Sequence, residues 1–439
     1  MLRVLAVDLG ASSVRVAAVD LDATPPAVEI VHRREHRPVS YPDGSLRWDW
    51  YGIEAAVVEG LGRGLADGPV ASIGVDAWGV DYGLIDAGGR LLSPPYSYRD
   101  GRTAGWEAVA GRLGERRLYE RAGIQLMGIN TIFQLAAHDR RELEAARRLL
   151  TIPELVVHGL TGAESAEETS AGTTALMDVR SRTWSDELLA DLELDPALLP
   201  AIETAPRPVG SWRGIPVHLV AGHDTASAVV ALPGPAAGSA FVSSGTWMIV
   251  GAERVGVDTS EAARRANFSN EPGAAGRTCF LKNVMGLWML EQLVQRWRVP
   301  RDEVLAAAAV RPAGPLVDAT HERFLAPADM EAEVRAASGL TAAAGRDTVA
   351  RCVLDSLAAA AAAVVHELSA FLAEPVRSIH VLGGGARNTL LNRLLEEAAE
   401  VPVQVGAVEA TALGNALVQG IAIGAFAGLD DARASLAGP

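Results

Sequence analysis

The chain has 439 residues, a formal charge of −15, 49% hydrophobic residues and 21% charged residues. This is globular composition, which excludes a disordered chain, and the length allows two or three domains of roughly 100–200 residues each. So acidic a protein has no electrostatic footprint for DNA, RNA or an anionic membrane surface. In chain order, Val4 to Leu9 is an apolar run, Gly10-Ala11-Ser12-Ser13 has turn chemistry, and Val14 to Val19 continues as a second strand. Helical spacing covers Ile53 to Leu65. A strand pair is expected at Ser72 to Trp78 and Val80 to Ile85, and residues 103–160 read as mainly helical. Thr204 to Gly214 is rich in Pro and Gly and reads as a connector.

Val217 to Val220 is a short buried strand that runs through Ala221-Gly222-His223-Asp224 into an apolar helix over Thr225 to Ala231. Pro233-Gly234-Pro235 breaks the chain, which places a boundary between domains at 1–235 and 236–439. The second half opens as the first does: strand Ala240 to Val242, turn Ser243-Ser244-Gly245-Thr246, returning strand Trp247 to Val250. Helices are expected at about 284–297 and 345–373. Strand Ser378 to Leu382 leads through Gly383-Gly384-Gly385 into a helix over Asn388 to Ala399, followed by strand Val403 to Val405 and a helix from about Ala412. Two strand–turn–strand units half a chain apart point to a duplicated architecture with a cleft between halves.

The most apolar run, Leu357 to Val365, falls short of the ~20 residues a bilayer crossing needs and reads as a buried Ala-rich helix. The opening MLRVLAVDLG has no secretory h-region, so a cytoplasmic protein is expected. Cys279 and Cys352 are too few for a disulfide framework or a four-cysteine zinc site. There is one lysine, Lys282, in Leu281-Lys282-Asn283. A phosphate-binding P-loop requires Gly-Lys-Ser/Thr, so that class of nucleotidase is excluded.

Several segments carry chemistry. In Asp8-Leu9-Gly10-Ala11-Ser12-Ser13 small residues expose backbone N–H groups, two hydroxyls can donate to an anion, and Asp8 at a strand end can hold a metal through water. A plain hairpin would use the same Gly and Ser. The Ser243–Thr246 turn repeats the chemistry without the carboxylate. With no lysine at hand, phosphate charge would fall to amides, hydroxyls, a divalent cation and Arg15. Triple Gly at 383–385 permits close passage of a ring or phosphate, or is simply a flexible loop. Asp224 is either a helix N-cap or, with His223 at a strand end, a proton acceptor for a substrate hydroxyl. Asp76, Trp78 and Asp81 interrupt apolar strands that disfavour Asp, and an aromatic beside carboxylates suits a polyol.

Taken together, VDLGASSVRV, GVDAWGVDYGLID, YRDGRT, GHDTASAVVA, SSGTW, LKNVMGLWMLE, LGGGARNTLLN and VEATALGNA, in this order over residues 4–416, resemble the sugar kinases of the FGGY family. That family lies within the actin/hexokinase/Hsp70-like ATPase superfamily. The resemblance implies an α/β protein of two actin-like (ribonuclease-H-like) domains, mixed sheets flanked by helices, with a cleft between them. Residues 1–235 would carry the sugar site and first phosphate motif, and 236–439 the nucleotide. It implies ATP with Mg2+ phosphorylating L-rhamnulose at its 1-hydroxyl. Asp224 would be the proton acceptor, with Gly79, His223, Thr225 and Asn283 on the sugar beside Trp78 and Asp81. Ala11, Ser12, Ser13, Val14, Arg15 and Thr246 would take the phosphates, Glu291 and Gly384 would lie on the nucleotide side, and Asp8 would orient the metal. A monomer or homodimer with small-molecule partners is implied. Two positions depart from the family: Val14 stands where the first turn usually has Gly, and Glu291 where Gln is usual. Rival readings are a kinase for fuculose, ribulose or xylulose, and a sugar-sensing protein that has lost phosphoryl transfer.

Overall fold

The computed structural model describes residues 2–234 and 238–437; the expected boundary at 235/236 lies outside the described residues. The chain forms two compact units that are discontinuous in sequence. One is built from the segment ending at Gly234, from Glu253–Phe280 and from Ala410 onward; the other from the segment ending at Ala252 and from Leu281–Glu409.

In the first unit, β-branched and small apolar residues form two neighbouring strands, β1 (Arg3–Gly10) and β2 (Ser13–Asp20), buried along nearly their whole length. They pair antiparallel with Asp8 opposite Arg15. The remaining strands are β3 (Ala27–Glu35), β4 (Ser72–Ala77), β5 (Arg207–Trp212) and β6 (Ile215–Leu219), and the sheet order is β5-β6-β4-β1-β2-β3. The β1/β4 and β4/β6 pairs are parallel, which sets Asp8 opposite Asp76 at the strand ends. The Trp50–Ala66 helix, N-capped by the Asp49 side chain, lays Ile53, Val57 and Leu61 in the core. The Ala410–Ala422 helix packs against β1 and against the Asp224–Val230 helix.

The second unit repeats the plan. β7 (Ser239–Ser244) pairs antiparallel with β8 (Trp247–Arg254) and parallel with β10 (Ser378–Leu382), and β10 pairs parallel with β11 (Val403–Val405). β9 (Thr278–Met285) lies beside β8. The Arg346–Ser369 helix is long and apolar enough to cross a membrane by length and composition. However, 72% of its apolar window is buried in the protein, as expected of an Ala-rich core helix.

Three expectations change, and one strand had no sequence signal. Thr204 to Gly214 is not a connector: Arg207–Trp212 is an edge strand, and its Pro208 and Gly210 flank a bulge, the setting that admits both residues in a sheet. Val80 to Ile85 does not pair with Ser72 to Trp78. Tyr82–Ile85 pairs with Arg148–Thr151, because Val80 adopts φ 67° and turns the chain out of the first sheet. Residues 284–285 belong to β9, and the helix begins only at Trp288. β3 went unread because its exposed and half-buried residues, including Glu29, Arg33 and Arg34, present no apolar run.

Gly414 marks the closest approach of the two helices behind Asp224. A Cβ there would stand 1.8 Å from the Ser227 carbonyl oxygen, so the backbones must separate to admit one. Gly414→Ala is expected to destabilise the protein by about 1–3 kcal/mol through overpacking. A melting temperature equal to wild type would show that the contact is not this tight.

Candidate active site

The first turn is held from below by one histidine. The His36 N–H donates to the Ser12 carbonyl at 3.0 Å, and His36 Nε2 donates to the Gly10 carbonyl at 2.9 Å. Burial pulls the His36 pKa down to about 4, so the ring is neutral with its proton on Nε2. Ala11 and Ser12 form the open tip, while Ser13 is buried. Val14, which stands where the family's first turn usually has Gly, lies in β2 opposite Leu9 with its side chain in the core.

Behind the turn is an acidic group. Arg15 Nη2 lies 2.8 Å from each oxygen of the buried Asp8 carboxylate. Asp76, beside Asp8, accepts from Asn415 Nδ2 at 2.6 Å, and Asn415 is in turn fixed by Gln419. Burial first, then the charges of Asp8 and Asp224, hold the Asp76 pKa well above the carboxylate range. The buried Asp76 Oδ1 has no hydrogen-bond partner among the described residues. Among the described residues no cluster of three or more His, Cys, Asp or Glu forms a metal cage. Mg2+ does not need one, since it is commonly held by one or two carboxylates together with substrate phosphates and water. Asp8 and the unpartnered oxygen of Asp76 fit that partial donor set.

Asp224 begins the Asp224–Val230 helix, and its side chain is 29% exposed. The loop before it is stitched by three hydrogen bonds to two segments. Gly222 O accepts from Ala77 N at 2.8 Å, Gly222 N donates to Glu167 at 2.9 Å, and His223 N donates to Thr169 Oγ1 at 3.0 Å. Thr225 is buried, and its hydroxyl lies 3.3 Å from Asp224 Oδ1. Burial raises the Asp224 pKa while His223 opposes the rise. Glu167 and Glu154, buried beneath the loop, are pushed up by burial to about 7 and about 8.

The 78–81 segment is a rigid wall. The Trp78 and Trp48 rings lie 4.5 Å apart and His36 packs against both. Asp81 is fully buried, and its oxygens accept from Trp48 Nε1, Trp78 Nε1, Tyr98 N and Gln134 Nε2. Its expected contact with a sugar is thus replaced by contacts that fix the two tryptophans. Gly79 sits where a Cβ would come within 2.8 Å of Thr173. Val80, strained by about 1–3 kcal/mol in the left-handed region, is held there by Thr131, Gln134 and Thr173.

In the second unit the Ser243–Thr246 turn receives Leu287 N on the Gly245 carbonyl at 2.9 Å and Trp288 N on the Thr246 carbonyl at 3.2 Å. Gly286 makes this possible: a Cβ there would lie 2.4 Å from the Trp247 carbonyl carbon. Gly385 packs directly on Ser244, whereas Gly384 faces open space. Thr246 and Asn283 are half-buried. Glu291 forms an ion pair with Arg301, so its charge is neutralised within the protein. Lys282 pairs with Glu367 at 2.7 Å.

Asp8, Arg15, His223 and Asp224 thus belong to one unit, and Thr246, Asn283, Glu291 and Gly384 to the other. Sequence reasoning missed His36, Glu167, Asn415 and Glu271, whose Oε2 lies 3.3 Å from His223 Nδ1. Only Asn415 lay inside a motif, VEATALGNA.

The N-terminal domain of the FGGY family of carbohydrate kinases matches residues 3–230, and its C-terminal domain matches residues 240–423. The chain belongs to this family of carbohydrate kinases. Among curated relatives it is similar to a rhamnulokinase of Klebsiella pneumoniae, 38% identical over 98% of this chain and 91% of the relative. A rhamnulokinase of Pectobacterium carotovorum is 39% identical over 97% and 89%. Solved structures share the fold. A xylulose kinase of Lactobacillus acidophilus superposes with a TM-score of 0.81 at 16% identity, covering 100% of this chain and 93% of that one. A glycerol kinase of Plasmodium falciparum with ADP gives 0.77 at 15% identity, with coverage of 100% and 93%.

Burial raises the Asp81 pKa to about 6, above the ordinary carboxylate value of about 3.9. Folding therefore favours the protonated form, and this contribution to stability is present below pH ~4 and lost as pH rises through ~6. Asp81→Asn removes the titration. The melting-temperature advantage of wild type over Asp81→Asn is expected to be larger at pH 4.5 than at pH 7; a constant difference would refute the assignment.

Proposed function

We propose that this kinase transfers the γ-phosphoryl group of ATP to the 1-hydroxyl of L-rhamnulose, giving L-rhamnulose 1-phosphate and ADP. The substrate reading is supported by rhamnulokinase relatives at 38–39% identity over nearly the whole chain. The observation that carries the chemistry is Asp224: a partly exposed carboxylate on a loop anchored to Ala77, Glu167 and Thr169.

Phosphoryl transfer passes through a loose transition state in most analyses, so positioning and charge neutralisation dominate. In this reading Asp224 aligns the sugar's primary hydroxyl and accepts its proton as the bond to phosphorus forms. His223, Thr225, Gly79 and Asn283 bind the sugar, and Trp78 offers its apolar face. Asp81 serves by fixing Trp78 and Trp48. The Ala11–Arg15 turn and Thr246 take phosphate oxygens, and Gly384 leaves room for the nucleotide. Glu291, neutralised by Arg301, sits on the nucleotide side without repelling it. Asp8, with Asp76 beside it, would hold Mg2+, which supplies positive charge at the phosphates. We assign the sugar and first phosphate roles to 1–235 and the nucleotide role to 236–439, in a cytoplasmic monomer or homodimer.

Asp224→Asn is expected to retain ATP binding and lose about 10²–10⁴-fold in kcat. Wild-type turnover in that variant would remove the proton-acceptor role. A coupled ADP assay over L-rhamnulose, L-fuculose, L-ribulose and D-xylulose tests the substrate. L-Rhamnulose is expected to give the highest kcat/KM; another sugar ranking first would change the substrate and leave the carbohydrate-kinase class intact.

A further inference from the structure

We propose that Glu271 is a positioning residue that acts through His223 to keep Asp224 ionised. The inference rests on the proton-acceptor reading of Asp224 above. Glu271 Oε2 lies 3.3 Å from His223 Nδ1, and His223 Nε2 lies 3.4 Å from Asp224 Oδ1. The imidazole therefore stands between two carboxylates, one at each ring nitrogen. Only the imidazolium carries N–H on both nitrogens; a neutral ring would turn a lone pair towards one carboxylate. Glu271 Oε2 and His223 Nδ1 are both buried, and among the described residues neither has a hydrogen-bond partner, so this ion-pair contact is what each polar atom faces.

The titratable groups facing the ring are Glu271, Asp224 and Glu167, with Glu271 acting most strongly. Burial alone would deprotonate His223, but these carboxylates outweigh it and raise its pKa above the ordinary histidine value. The charge of Arg15 also favours the ionised Asp224, and the buried Cys279 thiol lies near Glu271. Glu271 is held in place from both flanks of its strand, Ser269–Pro272. Ser269 Oγ accepts from Gln125 N at 2.8 Å, and the Asn270 amide donates to the carbonyls of Gly123 and Asp258. Pro272 packs on Gly172, where a Cβ would come within 2.2 Å of its ring.

A cation beside Asp224 counters the upward pull of burial on that carboxylate. The proton leaving the sugar hydroxyl goes to Asp224, and His223 keeps both of its protons throughout. Without Glu271 the buried ring becomes neutral, Asp224 loses its counter-charge, and the acceptor is protonated at a pH where wild type is still ionised.

The test is kcat for L-rhamnulose against pH in the full-length protein. Glu271→Gln is expected to lose at least about tenfold more activity at pH 6 than at pH 8.5 relative to wild type. Glu271→Asp is expected to recover part of this, and Glu271→Gln added to His223→Gln is expected to change little. A uniform drop at all pH values, or additive losses in the double variant, would overturn the proposal. Should Glu271→Gln fail to fold, imidazole ¹⁵N NMR of wild type decides. The His223 resonances, identified by their loss in His223→Gln, are expected to report a doubly protonated ring at pH 7, and a neutral ring overturns the proposal. If wild type forms no ADP with any sugar, the functional reading fails separately, while the NMR result still tests the Glu271–His223 pair.

Discussion

Two carboxylates, Asp8 and Asp76, face each other across adjacent parallel strands, and the site is organised around keeping them there. Neighbouring strands lie about 4.8 Å apart, and two unit charges at that distance repel by about 3 kcal/mol at an effective dielectric near 20. The protein offsets this in two different ways. Asp8 keeps its charge, because Arg15 is opposite it on the antiparallel side and reaches both oxygens. Asp76 gives up its charge, because burial and its acidic neighbours favour the protonated form. The Asn415 amide donates to one Asp76 oxygen, leaving the other to carry the proton. A divalent cation brought by a nucleotide would reverse that balance and draw the second carboxylate into its ionised form.

The same economy governs the loop that carries Asp224. An acidic side chain at the head of a short buried helix needs a fixed backbone, and the fixing comes from far away in sequence. Glu167 receives Gly222 N, Thr169 receives His223 N, and the Ala410–Ala422 helix presses on the helix itself through Gly414. At the far end of that helix, Arg433 donates to the carbonyls of Val229 and Val230 while paired with the buried Glu253. The buried C-terminal carbonyls of a seven-residue helix are thereby satisfied by a cation where the helix dipole favours one. Each of these contacts lies within one compact unit, so the loop is rigid before any ligand arrives.

What could be read from the sequence follows from how local each signal is. The two hairpins, the strand into Asp224 and the Ala-rich helix announce themselves through continuous apolar runs ending in Gly, Ser or Asp. Asp8, Asp224 and the Gly383–Gly385 loop were legible because strand ends with small or acidic residues break a pattern. β3 was not legible, since half its residues face water and its charges hide the alternation. Val80 reads as strand because nothing in its side chain announces φ 67°; three separate hydrogen-bonding residues impose that angle. Asp81 looked like a sugar ligand because it is an aspartate among apolar residues. Burial among four donors is a tertiary fact, set by Trp48 and Gln134 from distant segments. Glu271 and His36 follow the same rule: each acts on a residue at least 26 positions away.

The duplicated plan also explains why the two turns are not interchangeable. Both are antiparallel hairpins whose first strand runs parallel to a later one. In the first unit that parallel partner carries Asp76 as its next-to-last residue, and the turn inherits a charged floor. In the second it ends in Leu382 and Gly383, and the turn is floored by Gly385 and braced by Gly286. Lys282, the single lysine, is tied to Glu367, so no flexible ammonium reaches this turn in place of its backbone. A neutral turn of small residues lets main-chain amides and the Thr246 hydroxyl approach an anion without a competing carboxylate. The first turn instead has a charged floor, the Asp8 carboxylate paired with the Arg15 guanidinium. One topology therefore yields two different electrostatic surfaces, and the difference is set by which residue stands at the end of one parallel strand.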